Sequence, residues 1–184
     1  MKKTVWTFGL ISGAILSAMM LLTIPFESSI GFDRAEIIGY ATMVLAFLLI
    51  FFGVRSYRDS VGGGSVSFGR AFAVGVLITI VASLCYVATW EVIYFKIAPD
   101  FATKFTSHSI EQAKRSGGNA AEIQRRTAEI EQFAERYKNP VLNAAVTFLE
   151  PLPVGLVFAL VSAGALRRRR RGSGSSALAP SRAV

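Results

Sequence analysis

One cysteine and one histidine are all that the 184 residues offer of those two types. A lone cysteine excludes an intramolecular disulfide, and no CxxC or Cys/His spacing is present to hold a metal. Cys85 lies in an apolar stretch with no base beside it to make a thiolate. His108 sits in a polar segment with no second ligand spaced to join it, so its plain reading is a solvated helical histidine. No serine stands in a nucleophile-elbow context. The glycine-rich stretch from Gly62 to Gly69 continues as Arg70-Ala71, where a phosphate-binding loop needs Lys-Ser/Thr. Charge is scarce too: 17% of the residues are charged, against about 25% in a soluble domain. These absences lead to the expectation of a non-enzyme, with no catalytic, cofactor-binding or metal-ligating set and no cofactor.

What is present is apolar and unevenly placed. Apolar residues make up 52% of the chain, the mean hydropathy is +0.47, and long blocks hold most of them. A helix rises 1.5 Å per residue, so about 20 residues cross a hydrocarbon core of about 30 Å. Four blocks qualify, at about 4–24, 37–54, 71–95 and 141–166. The first is too long for a signal-peptide core and runs into Ile24-Pro25-Phe26-Glu27 without a small-x-small cleavage site, so it reads as a retained helix.

The net charge of +8 would suit nucleic acid, but its placement does not. Lys2 and Lys3 abut the first block, and Arg167, Arg168, Arg169, Arg170 and Arg171 abut the last. Cations there set topology and attract anionic lipid headgroups, so the lipid bilayer is the expected partner and nucleic acid is not. With four spans, the N-terminus, the loop holding Arg55, Arg58 and Arg70, and the arginine block share one side. The positive-inside rule makes that side cytoplasmic.

Between the third and fourth spans, about 98–139 is different in kind: charged, with Pro99-Asp100 able to start a helix and Gly117-Gly118 able to end it. Asn119 with Glu122 three residues on forms a capping box for a second helix, along which Ile123, Ile130, Phe133 and Tyr137 recur on one face. The expected fold is therefore all-α. Residues 1–171 form an integral membrane four-helix bundle with an extramembrane helical-hairpin insert, placed on the outer face, and 172–184 form a disordered Gly/Ser/Ala tail. Gly9, Gly13 and Ser17, and likewise Ala71, Gly75, Thr79 and Ser83, make small-residue stripes at spacing four. Such stripes let helices approach closely in lipid, within this chain or between copies in a homo-oligomer.

Several phrases carry a resemblance. Ser56-Tyr57-Arg58-Asp59 with the glycines after it, Phe68-Gly69-Arg70-Ala71-Phe72, Tyr86 to Glu91, Pro99-Asp100-Phe101 and Glu150 to Gly155 together resemble a family of small four-helix bacterial membrane proteins classed only as a domain of unknown function. The resemblance runs from the N-terminus to the arginine block and leaves out the tail. It implies a multi-pass protein of the bacterial inner membrane and brings no activity, substrate or cofactor.

Two carboxylates fall inside spans, Glu91 and Glu150. An ionised group there is costly unless it faces the bundle interior, is protonated or finds a partner. Pro151 and Pro153 follow Glu150 and remove backbone donors, freeing the carbonyls of Thr147 and Leu149. A carboxyl group beside freed carbonyls is either a hydrogen-bonded kink or a site for a ligand, proton or cation, as in broken transporter helices. Trp90 and Tyr94 read as anchors at the headgroup boundary. The leading expectation is a non-enzymatic structural or partner-binding membrane component. The alternative is a small proton- or cation-coupled transporter or channel component using Glu91 and Glu150. Sequence spacing does not bring these two acids together.

Overall fold

A computed structural model of the chain describes residues 1–167, with the side chains of residues 27 and 28 left out; Arg168, Arg169, Arg170, Arg171 and the tail at 172–184 lie outside the described residues. All regular structure among the described residues is helical. The helices are α1 (Lys2–Thr23), α2 (Glu27–Ile30), α3 (Phe32–Ser60), α4 (Phe68–Val92), α5 (Phe101–Arg115), α6 (Ala120–Tyr137), α7 (Pro140–Leu149) and α8 (Leu152–Leu166). Four helical stretches are long and apolar enough to cross a membrane: Lys2–Phe26, Phe32–Ser60, Phe68–Ile97 and Pro140–Leu166. The chain thus has the form of a multi-pass membrane protein.

The burial pattern agrees. Large apolar side chains such as Leu22, Ile37, Leu45, Phe52, Leu84 and Val161 point outward, while Ser12, Thr42, Thr79, Ser83 and Ser162 are buried. In water this exposes too much apolar surface, whereas in lipid it is the favourable arrangement. Going round the bundle, α1, α3, α8 and α4 follow one another, and α3 and α4 also touch across the diagonal. Small residues set these contacts. A Cβ at Gly9 would fall 2.7 Å from Val81, and one at Gly13 2.6 Å from Cys85, so this stripe seats α1 on α4. Ser17 continues the seam, its hydroxyl meeting Thr89 Oγ1 at 2.7 Å. On the other side of α4, Gly75 meets Ala159 and Gly155 meets Thr79. Both stripes are therefore used within the chain.

Several ends differ from the sequence expectation. The third and second helices extend beyond their apolar blocks, and α3 carries Asp33, Arg34 and Glu36 on its first turns and Arg55 to Asp59 on its last. Charge ends a hydrocarbon span without ending a helix, because the backbone bonds continue into the polar layer. Gly31, at φ 82°, fixes where α3 starts, a backbone conformation open to glycine. The turn at 61–67 uses Gly63 and Gly64 at φ 58° and 81°. After Val92 the third span adds one π-helical turn, Ile93–Ile97, closed by Ala98 N–H donating to Ile93 O at 2.8 Å. Asn119 caps α6 by accepting from Glu122 N–H at 2.8 Å.

The fourth span is broken. Pro151 and Pro153 cannot donate to the helix ladder, and α7 stops at Leu149 while α8 restarts at Leu152. The two halves pack differently: α8 lies against both α3 and α4, whereas α7 lies against α4 and leaves α3.

Candidate functional site

That divergence opens a half-enclosed cavity of about 460 Å³. Its walls are the ends of α1 and α4, the start of α3, and α7; α5 and α6 lie over it. Glu150 lines its inner end, placed there because the proline break stops α7 one residue earlier. The Tyr86 hydroxyl donates to Glu150 Oε2 at 3.1 Å, and Glu36 on α3 faces the same space. Beyond Glu150 the bundle closes, with Ile50, Val74, Ile78 and Ala159 fully buried.

Aromatic rings hold the covering helices in place. Phe32 meets Phe101 and Phe105 edge-on at 5.9 and 5.6 Å, and Trp90 meets Phe101 at 5.0 Å. Tyr137 packs on Tyr94 at 5.5 Å and on Phe133 at 5.5 Å. Such pairs contribute about 0.5–1.5 kcal/mol each beyond the area they bury. A polar chain joins α4, α6 and α7. Trp90 Nε1–H donates to the Tyr137 oxygen at 3.1 Å, Tyr137 and Thr147 hydroxyls meet at 2.9 Å, and Asn143 Nδ2 donates to Tyr137 O at 3.3 Å. Burial pushes the Tyr137 phenol above its ordinary value, so it keeps its proton at neutral pH and can serve this chain. His108 is a contact residue: its Nε2 lies 3.1 Å from Asp33 Oδ1 and its ring 5.0 Å from Phe32, which ties α5 to the start of α3.

The residues singled out in the sequence are thus distributed unevenly. Glu150 lines the cavity and Pro151, fully buried, shapes it, while Pro153 sits exposed in the first turn of α8. Glu91 is not among the lining residues; its Oε1 is buried without a hydrogen-bond partner. The two acids are therefore not brought together in this cavity. Trp90 and Tyr94 lie near the end of the third span, where they turn inward and line the cavity, Tyr94 keeping only 7% of its surface. Arg167 is exposed directly after α8. Among the described residues no three His, Cys, Asp or Glu side chains converge to hold a metal ion. Tyr86, Glu36, Tyr40 and Tyr137 were not singled out as site residues. The available signal was Tyr86, Trp90 and Tyr94 at spacing four, which places them on one face of the third span.

A family profile described as Protein of unknown function (DUF4199) matches residues 7–168. The chain belongs to the DUF4199 family. The DUF4199 match runs from within α1 to the end of α8 and takes in every wall of the cavity. No curated protein and no solved structure matches the chain.

Proposed function

We propose that this DUF4199 protein is a non-catalytic binding component of the bacterial inner membrane. In this reading the bundle crosses the bilayer four times, and α5 and α6 form an extramembrane helical hairpin that roofs a ligand cavity. The observation that carries it is the cavity itself: about 460 Å³, apolar over most of its wall, with the Glu150 and Tyr86 side chains converging at its inner end. Preformed apolar pockets of roughly 300–1,000 Å³ with a few convergent polar groups are where small molecules bind. A conducting role finds less support, since α3, α4 and α8 close on one another beyond Glu150.

The chain contains two tryptophans, and Trp90 lines the cavity while Trp6 lies near the N-terminus. In a Trp6→Phe variant, Trp90 alone reports on occupancy. Titration in nonionic micelles with the neutral quencher 4-bromo-neopentylbenzene is expected to quench Trp90 saturably, with excess unbrominated compound reversing it. Quenching that only tracks partitioning into the micelle would refute the binding role.

Orientation follows from charge. Lys2, Lys3, Arg55, Arg58, Arg70 and Arg167 lie at the end of the bundle opposite the cavity, which the positive-inside rule makes cytoplasmic. Both termini are then inside and α5–α6 outside. With Cys85→Ser, a cysteine introduced by Glu129→Cys is expected to react with an impermeant maleimide on spheroplasts, and one introduced by Ser60→Cys only after lysis. The reverse pattern would invert the topology.

A further inference from the structure

The chemistry of the cavity wall specifies more than a small molecule. The chain carries 20 lysines and arginines against 12 aspartates and glutamates. The cavity reverses that balance: among the described residues its wall has two carboxylates, Glu36 and Glu150, and no lysine, arginine or histidine. Outside that wall, Lys138 pairs with Glu135 at 2.6 Å and His108 lies 3.1 Å from Asp33. Nine of the lining side chains are aromatic, from α3, α4 and the π-helical turn after it, α5 and α6, so ring faces and edges surround the space on several sides. Aromatic faces carry negative potential and attract cations, most strongly where water is scarce. Glu150 keeps one oxygen for a ligand, since the only hydrogen bond it makes among the described residues is from Tyr86 to Oε2.

We propose that the ligand is a lipophilic organic cation, an alkyl- or arylammonium, with its charged nitrogen between Glu150 and Glu36 and its apolar body among the rings. This rests on the reading of the cavity as a ligand site. A neutral hydrocarbon would leave both carboxylates unmatched. An organic anion would be repelled by them. A phospholipid headgroup offers the same ammonium chemistry, but its phosphate would also meet the two acids with no cation to neutralise it. The occupant is accordingly a free amphipathic amine.

The test uses the Trp6→Phe protein in nonionic micelles and three quenchers of one shape: 4-bromobenzyl-trimethylammonium, its neutral carbon isostere 4-bromo-neopentylbenzene, and 4-bromophenylacetate. The cation is expected to saturate with an apparent Kd about tenfold below that of the isostere, and the anion to bind more weakly than both. Glu150→Gln is expected to remove that preference while the isostere still quenches saturably, which also shows that the variant is folded. Should Glu150→Gln fail to assemble, Glu36→Gln and the wild-type preference decide instead. Equal binding of cation and isostere would overturn the cation assignment and leave the cavity reading standing. Absence of saturation by either would overturn both. A short-chain phosphatidylcholine that displaces the cation would move the assignment to a lipid headgroup, and its failure to compete supports the free amine.

Discussion

Replacing Gly155 by leucine is expected to unfold the bundle at a much lower temperature than the parent chain. Gly155 lies where α8 crosses α4, and a Cβ built on it would stand 2.6 Å from Thr79 Oγ1 and 2.9 Å from Thr79 Cβ. Thr79 has little freedom to retreat. It is fully buried, and its hydroxyl donates back to Gly75 O at 3.0 Å. One turn earlier on the same face, Gly75 lies against Ala159, so α8 cannot slide along α4 to make room. The remaining relief is to move the helices apart, which costs the dispersion contacts on which helix association in lipid depends. Overpacking of this kind costs about 1–3 kcal/mol, and more where backbone must move. Thermal denaturation in micelles measures it, with Gly164→Leu as the control. Gly164 is exposed and a Cβ there meets nothing within 4 Å, so that variant is expected to match the parent. Adding Thr79→Ala to Gly155→Leu is expected to recover part of the loss, the coupling that contacting positions show. Equal midpoints for the two leucine variants would mean that the α4–α8 seam is not the tight contact described here.

The contrast between that seam and the cavity shows what a sequence makes legible. Hydropathy is a local property, and the four apolar blocks lie within helices that begin or end within a few residues of them. The break in the fourth span was equally legible, because Pro151 and Pro153 act through their own missing donors. The small-residue stripes could be seen as contact faces, but which helix each would meet could not. Gly13 against Cys85 and Gly155 against Thr79 are pairings across 72 and 76 positions, which no spacing rule encodes. The same limit hid the cavity. Tyr86 meets Glu150 across 64 positions, Trp90 meets Tyr137 across 47, and His108 meets Asp33 across 75. An amphipathic aromatic serves as well at a headgroup boundary as in a polar-ended pocket, so the residue types at Trp90 and Tyr94 do not distinguish the two. Their partners do.

Gly39 is expected to respond to the same substitutions in the opposite way. It lies in α3 on the cavity wall, between Glu36 and Tyr40, and a Cβ there meets nothing within 4 Å. A side chain at 39 therefore enters open space. Glycine inside a helix is less favourable than alanine by about 0.5–1 kcal/mol, so Gly39→Ala is expected to raise the thermal midpoint. Leucine and phenylalanine retain part of that gain while occupying progressively more of the cavity of about 460 Å³. Binding should then fall in order of size: Gly39→Ala close to the parent, Gly39→Leu about tenfold weaker, Gly39→Phe without saturable quenching of Trp90, a graded loss worth about 1.4 kcal/mol per tenfold. Stability and binding move apart in this series, which a disrupted fold cannot reproduce, because disruption lowers both. A stable Gly39→Phe protein that still binds with parental affinity would place the ligand elsewhere. A series that loses binding at unchanged or higher stability would place it between α3 and α7, in the space that the break after Glu150 creates.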